Sequence, residues 1–160
     1  MPEIKRMEPL SMRGVVAIHQ ELQARYGRGS LEVDMAQLDL ALMRAVKFAC
    51  DGKRTMRSRL GAGYAWALLN MRPFADGNES VALAAMVTYL EMNGFTWKCS
   101  EVEETVIVQR AAAGHMKEAE WEAWVVRNVG KSQHSFLPLR ARSTRKESLQ
   151  THRGAEEPGA

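Results

Sequence analysis

The residues of this chain that could do chemistry are concentrated in one segment, residues 72–80, which reads Arg-Pro-Phe-Ala-Asp-Gly-Asn-Glu-Ser. An almost uniformly apolar run follows it and stops at Asn-Gly. The run predicts a buried helix over about residues 79–93, and Gly94 tolerates the left-handed conformation that closes a helix. Backbone N–H groups at a helix start have no partner within the helix, so Gly77 and Asn78 could hold an anion such as a phosphate.

Five residues of this segment keep the order and spacing of a known signature: Pro73, Phe74, Asp76, Gly77 and Asn78. They resemble the Fic/Doc family, and its Doc (death-on-curing) toxin branch in particular, whose signature reads His-Pro-Phe-x-Asp-Gly-Asn-Lys-Arg. This chain has Arg72 in the position of the His, Glu79 in that of the Lys and Ser80 in that of the Arg. The resemblance covers about residues 10–129.

The resemblance implies a fold, a reaction and a set of site residues. Fic members usually transfer AMP to a hydroxyl of a target protein, whereas Doc members move the terminal phosphoryl group of ATP to elongation factor Tu and are neutralised by an antitoxin. Asp76 matches the ligand of Mg²⁺, and Arg72 occupies the position of the catalytic base. The positions that would contact the nucleotide and its phosphates are Phe74, Gly77, Asn78, Glu79 and Ser80.

The three changed residues act against that reaction. Arg72 cannot serve as a general base because a guanidinium keeps its proton at physiological pH, and loss of a positioned base costs roughly 10²–10⁴ in rate. Ser80 removes a positive charge, and Glu79 adds a negative charge where phosphates would lie. Both changes act against the reaction because phosphoryl transfer depends on positioning and charge. We therefore expect a Doc-like protein that is inactive as a transferase, with Arg72 and Glu79 paired across the former pocket.

Such a protein would act by binding a protein partner, either an antitoxin-like protein or elongation factor Tu. The alternative is an active enzyme in which Arg72 binds nucleotide phosphate and His115, His19 or a water acts as base. His19 lies on an apolar helix face, which favours a packed, hydrogen-bonded histidine over a catalytic one. A third interpretation is a sound fold without a present role. The retained Asp-Gly-Asn segment leaves weak binding of ATP and Mg²⁺ open.

Composition sets the class of protein. The chain has 160 residues, 46% of them hydrophobic, which suits one domain with a proper core followed by a tail. Apolar periods near 3.6 predict an all-α bundle of about six helices.

Two features favour a location in the cytoplasm. The chain has two cysteines, and its N-terminus has no apolar segment of signal-peptide type. No apolar run is long enough to cross a membrane. A net charge of +3 by itself predicts no nucleic-acid partner, and any such binding would be weak and would involve the basic tail.

Cap residues and apolar spacing predict the helices. Ser11, Asp34 and Ser100 should begin the first, second and fifth helices. The residues expected in the core are Met35, Leu38, Leu42, Val46 and Ala49 on the second helix, Val102, Val106 and Ala113 on the fifth, and Trp121, Trp124, Val125 and Val129 on the sixth.

Domain boundaries follow from the same pattern. The folded domain is predicted over residues 11–129, after an arm of residues 1–10. Residues 130–160 are poor in apolar side chains and predict a disordered tail. The tail carries a basic cluster, namely Arg140, Arg142, Arg145 and Lys146.

Overall fold

The computed structural model describes residues 7–27, 29–50 and 57–131, without the side chains of residues 48–50. The described part is a bundle of helices with one small antiparallel sheet, which confirms the predicted all-α class. In chain order, the elements are α1 (Met12–Tyr26), α2 (Met35–Cys50), α3 (Arg57–Met71), α4 (Asn78–Met92), β1 (Phe95–Trp97), α5 (Glu101–Ala112), α6 (Glu118–Asn128) and β2 (Val129–Lys131).

Two helices form the centre of the bundle. The predicted central helix is α4, whose apolar side chains are buried on several sides, and α3 is buried at least as thoroughly. α3 packs against α2, α4, α5 and α6. Its Gly61 permits the close approach of α4, because a Cβ at this position would lie 3.0 Å from Leu90 Cδ2. The small residues of α3 therefore serve helix packing.

The predicted helix starts are confirmed. Ser11 Oγ accepts a hydrogen bond from the Gly14 backbone N–H at 3.0 Å, and Asp34 Oδ1 accepts one from Gln37 at 3.0 Å. Ser100 Oγ accepts one from the Glu103 N–H at 3.3 Å. Each side chain satisfies a backbone donor that has no partner within its own helix.

The predicted core face of α2 is partly wrong. Leu38 and Leu42 are buried, but Met35 is 48% exposed and Val46 is 44% exposed. Ala49 lies outside the described side chains. The inward face of α2 is completed by Ala41 and Ala45, because small side chains allow α3 to approach closely. Apolar spacing alone did not show which side of the helix faces α3.

The prediction for α5 has the wrong face in the core. Val102 is 78% exposed, Val106 is also exposed, and Ala113 is an exposed residue that follows the helix. The buried residues are Val108 and Ala111. The sequence carries apolar residues on both sides of this helix, and contact with α3 and α4 determines which side is buried.

The prediction for α6 is largely confirmed. Trp121, Trp124 and Val125 are buried as predicted, whereas Val129 is half-buried at the start of β2.

The two ends of the domain are attached to the bundle. Asn93 Nδ2 donates to the Glu8 carbonyl and its Oδ1 accepts from the Glu8 N–H, both at 2.9 Å. Leu10, the last residue of the predicted arm, is buried. Gly130 and Lys131, the first residues of the predicted tail, belong to β2. The rest of the arm and of the tail, including its basic cluster, lies outside the described residues.

Among the described helices, none is long and apolar enough to cross a membrane.

Candidate functional site

The motif lies on the turn between α3 and α4, as the sequence predicts. Two residues of this turn have a positive φ: Arg72 at 46° and Gly77 at 81°. Gly77 adopts this conformation without steric cost, since it has no Cβ. Arg72 is the single non-glycine residue with a positive φ in the described part of the chain, and such a conformation is strained. The backbone therefore reverses sharply on both sides of the Pro-Phe-Ala-Asp segment.

A second segment of chain holds this turn in place. Val33 and Phe74 form an antiparallel bridge. On either side of it, the Asp34 N–H donates to the Pro73 carbonyl at 2.8 Å and the Ala75 N–H donates to the Glu32 carbonyl at 3.1 Å. The residues that precede α2 thus form a short strand-like partner for the motif.

Asn78 holds the same turn from within. Its Oδ1 accepts from the Phe74 N–H at 3.1 Å and its Nδ2 donates to the Phe74 carbonyl at 2.7 Å. The Asn78 side chain is 2% exposed, so these bonds satisfy backbone groups that water cannot reach. Its side chain therefore shapes the turn, and only its backbone N–H belongs to the helix start that could meet an anion.

His19 supports the motif from α1. Its ring stacks on Phe74, with ring centres 4.3 Å apart, and it is fully buried. Nε2 lies 3.0 Å from the Asp76 carbonyl oxygen, which can only accept, so Nε2 carries the proton. The prediction that His19 is a packed, hydrogen-bonded histidine is confirmed.

Arg72 and Glu79 form an ion pair across the start of α4. Arg72 Nη1 lies 2.9 Å from Glu79 Oε1, and the two side chains are 49% and 39% exposed. The Glu79 carboxylate also interacts with its own backbone N–H. The hydrogen bond from Arg72 is the largest influence that lowers the pKa of Glu79 below its ordinary value. The expected pairing of these residues is confirmed.

Asp76 is exposed and lies against α1 and the chain that follows it. Its Oδ2 accepts from Gln23 Nε2 at 3.3 Å. A Cβ on Gly29 would lie 1.8 Å from that same oxygen, so a larger residue there would require the Asp76 side chain to move. Ser80 is exposed in the first turn of α4. In the described part of the chain, no three His, Cys, Asp or Glu side chains are grouped to hold a metal ion.

An open cleft of about 320 Å³ lies between α1 and the start of α4. Its lining residues include Tyr26 and Gln23 from α1 and Ser80 from α4, and the charged residues among them are Asp76 and Glu79. A wider hollow on the far side of the turn is lined by Arg72 together with acidic residues that precede α2. The described surface around the motif is therefore predominantly negative.

The structure places the predicted motif residues in the turn between α3 and α4 and in the first turn of α4, and it adds partners that sequence reasoning missed. Gln23 contacts both the carbonyl and the carboxylate of Asp76. The segment before α2 gives no local signal of its role, because its bonds to the motif are made by backbone atoms. The clamp by Asn78 could have been suspected, since Asn side chains often bind nearby backbone groups in turns.

No family model matches this chain. No curated protein matches it either. The resemblance to the Fic/Doc family thus rests on the motif residues and their positions.

Proposed function

We propose that this chain is a Doc-like Fic-domain protein that does not transfer phosphoryl or AMP groups and acts by binding a protein in a toxin–antitoxin-like setting. One observation carries the proposal: the carboxylate of Glu79 lies in the first turn of α4, where it is paired with Arg72. An active member would need that place for phosphate oxygens. Here a side chain of the protein itself supplies the anion.

Charge makes the cleft a poor site for a nucleotide. Helix starts attract anions because their N–H groups and macrodipole are positive, but the Glu79 carboxylate already lies at this end of α4. Asp76 adds a second carboxylate to the cleft lining. Mg²⁺ bound by one carboxylate keeps several waters and also relies on substrate phosphates as ligands, which the two carboxylates of the cleft would repel. The residues present therefore do not fit a magnesium–nucleotide complex, and we infer that ATP and Mg²⁺ bind weakly or not at all.

Neither Arg72 nor a described histidine is placed to act as a general base at the motif. Arg72 keeps its proton and is engaged by Glu79. His19 is buried, with Nε2 bonded to the Asp76 carbonyl. His115 lies in the turn between α5 and α6, neither of which lines the cleft. These placements support an inactive scaffold over the alternative, an active enzyme that transfers a phosphoryl or AMP group from ATP to a protein hydroxyl.

Calorimetric titration with ATP–Mg²⁺ tests this proposal on the full chain. We expect no measurable binding by the unchanged protein and measurable binding by Glu79→Lys, because lysine restores the family's cation at the helix start. Glu91→Lys is the matched control, since it makes the same change on an exposed residue at the other end of α4. Equal gains in both variants would reduce the effect to net charge, and tight binding by the unchanged protein would overturn the proposal.

A transfer assay distinguishes directly between an inactive binding protein and an active transferase. Purified elongation factor Tu is incubated with labelled ATP and either the unchanged protein or the triple variant Arg72→His, Glu79→Lys, Ser80→Arg. We expect no labelling by the unchanged protein and detectable labelling by the variant, since the variant restores the base and both cations. Labelling by the unchanged protein would establish the enzyme instead.

The partner follows from the same proposal. We infer that the protein resides in the cytoplasm, where elongation factor Tu and an antitoxin-like protein would both be accessible. Binding to immobilised elongation factor Tu without transfer would identify the target as the partner. Absence of binding would leave an antitoxin-like protein as the partner, and the same assay would then use the antitoxin of an active relative.

A further inference from the structure

The outward side of α2 is apolar and has no cover in the described structure. Leu40 is about half-exposed, Met43 is 61% exposed, and Met35 and Val46 are exposed as well. Successive residues of an α-helix are separated by about 100°, which places these side chains on the side away from the core. The inward side is already filled. Its buried residues are Leu38, Ala41, Leu42 and Ala45.

We propose that this ridge, defined by Leu40, Met43 and Val46, binds the same ridge of a second copy of the chain, with the two α2 helices antiparallel. A closed pair of identical subunits uses one surface on both of them, so residue i contacts j and j contacts i. With Met43 on the two-fold axis, Leu40 of one copy faces Val46 of the other. Methionine suits such a contact because its flexible side chain adapts to the opposing surface.

Charge complementarity selects the second copy and the antiparallel direction. Asp39 and Lys47 lie one helical turn before and one turn after Met43. Both are exposed, and neither has an ion-pair partner among the described residues. In the antiparallel pair, Asp39 of each copy faces Lys47 of the other, which gives two ion pairs by symmetry. In a parallel pair, Asp39 would face Asp39, and like charges would oppose association.

Sedimentation equilibrium of the full chain over a wide range of concentration tests the proposal. We expect a monomer–dimer equilibrium. Met43→Glu places two carboxylates at the two-fold axis and should weaken dimerisation by more than about tenfold. Asp39→Lys and Lys47→Asp should each weaken it, since each leaves like charges opposed. The double variant Asp39→Lys, Lys47→Asp should restore it, because the swapped charges again face opposite partners in the same register.

Val102→Glu is the matched control, as it adds the same charge on an exposed apolar residue of α5. We expect it to dimerise like the unchanged protein, and circular dichroism shows whether each variant is folded. A monomer at every concentration would overturn the proposal and assign the ridge to a different protein or to a part of the chain outside the described residues. A dimer that Met43→Glu leaves intact, that Val102→Glu abolishes, or that the double variant fails to restore would overturn it as well.

Discussion

Arg72 and Glu79 are joined by an ion pair of 2.9 Å that spans the motif turn from its first residue to the first turn of α4. Both residues differ from the signature that the motif resembles, and their opposite charges compensate each other. The Arg72 guanidinium balances the charge that the Glu79 carboxylate brings to the start of α4. The pair thus gives these two residues one structural explanation.

The ion pair should make stability depend on pH in the acid range. Because the pKa of Glu79 is lowered in the folded state, the contribution of the pair is complete above the ordinary value of 4.5 and is lost as the pH falls below it. Both side chains are partly exposed to solvent, which screens the pair, so we expect it to contribute about 0.5 kcal/mol. Urea unfolding at several pH values should show this loss in the unchanged protein and not in Glu79→Gln. Parallel curves for the two proteins would contradict the prediction.

Backbone strain at Arg72 should be measurable by comparing two substitutions. Arg72→Ala and Arg72→Gly both remove the ion pair, but only glycine accepts a φ of 46° without strain. We therefore expect Arg72→Gly to be more stable than Arg72→Ala by about 1 kcal/mol. Chemical denaturation of the two variants gives the difference. Equal stability would mean that the turn relaxes once the arginine side chain is removed.

Removal of the Asn78 side chain should be among the substitutions in the motif that reduce stability most. Asn78→Ala leaves the buried N–H and carbonyl of Phe74 without partners, and we expect a loss of about 2–4 kcal/mol. Asn70→Ala is the control, because Asn70 also bonds to a backbone carbonyl but is exposed. It should cost less than about 1 kcal/mol. The free energies of unfolding of the two variants test this prediction. Similar losses would show that the bonds from Asn78 to Phe74 contribute no more than an exposed hydrogen bond.

Two buried tyrosines should respond differently to loss of the hydroxyl. Tyr64 Oη accepts from the Leu10 N–H at 3.3 Å, whereas Tyr89 Oη is buried without a hydrogen-bond partner among the described residues. Tyr64→Phe leaves a buried N–H unpaired and should cost about 1–2 kcal/mol. Tyr89→Phe should be neutral or stabilising, because it removes a buried polar atom. Thermal unfolding of both variants tests the contrast, and an equal loss in the two would contradict it.

Burial also raises the pKa of Tyr64 and of Tyr89 above the ordinary value of 10.0. Their contribution to stability is complete below that value and is lost as the pH rises through the folded-state pKa values. The protein should therefore unfold in strong alkali, and Tyr89→Phe should unfold at a higher pH than the unchanged chain. Ultraviolet absorbance of the phenolates, followed together with circular dichroism, measures both events. Ionisation of both tyrosines without loss of helix would contradict this prediction.

Features that depend on neighbouring residues along the chain were predictable. The cap residues Ser11 and Asp34 bond to backbone groups within their own first turns, so local sequence was enough to place them. The central helix α4 was predictable because its own residues are apolar on nearly all sides, which is typical of a buried helix. The pairing of Arg72 with Glu79 followed from their positions on either side of a turn.

Features that depend on packing between distant segments were not predictable in the same way. Val102 and Val106 form an apolar face of α5, but contact with α3 and α4 buries the opposite face around Val108. The same reason applies to Met35 on α2. A helix with apolar residues on two sides does not specify its orientation, and the fit of neighbouring helices decides it.

The sequence by itself determined the helical class, the position of the motif at the start of α4 and the charges that the motif carries. Only the tertiary structure decided what surrounds that motif. It placed His19 beneath Phe74, Gln23 beside Asp76 and the chain before α2 against the turn. These contacts join residues far apart in sequence, and many of them involve backbone atoms, which every residue shares and which therefore leave no mark on the order of side chains.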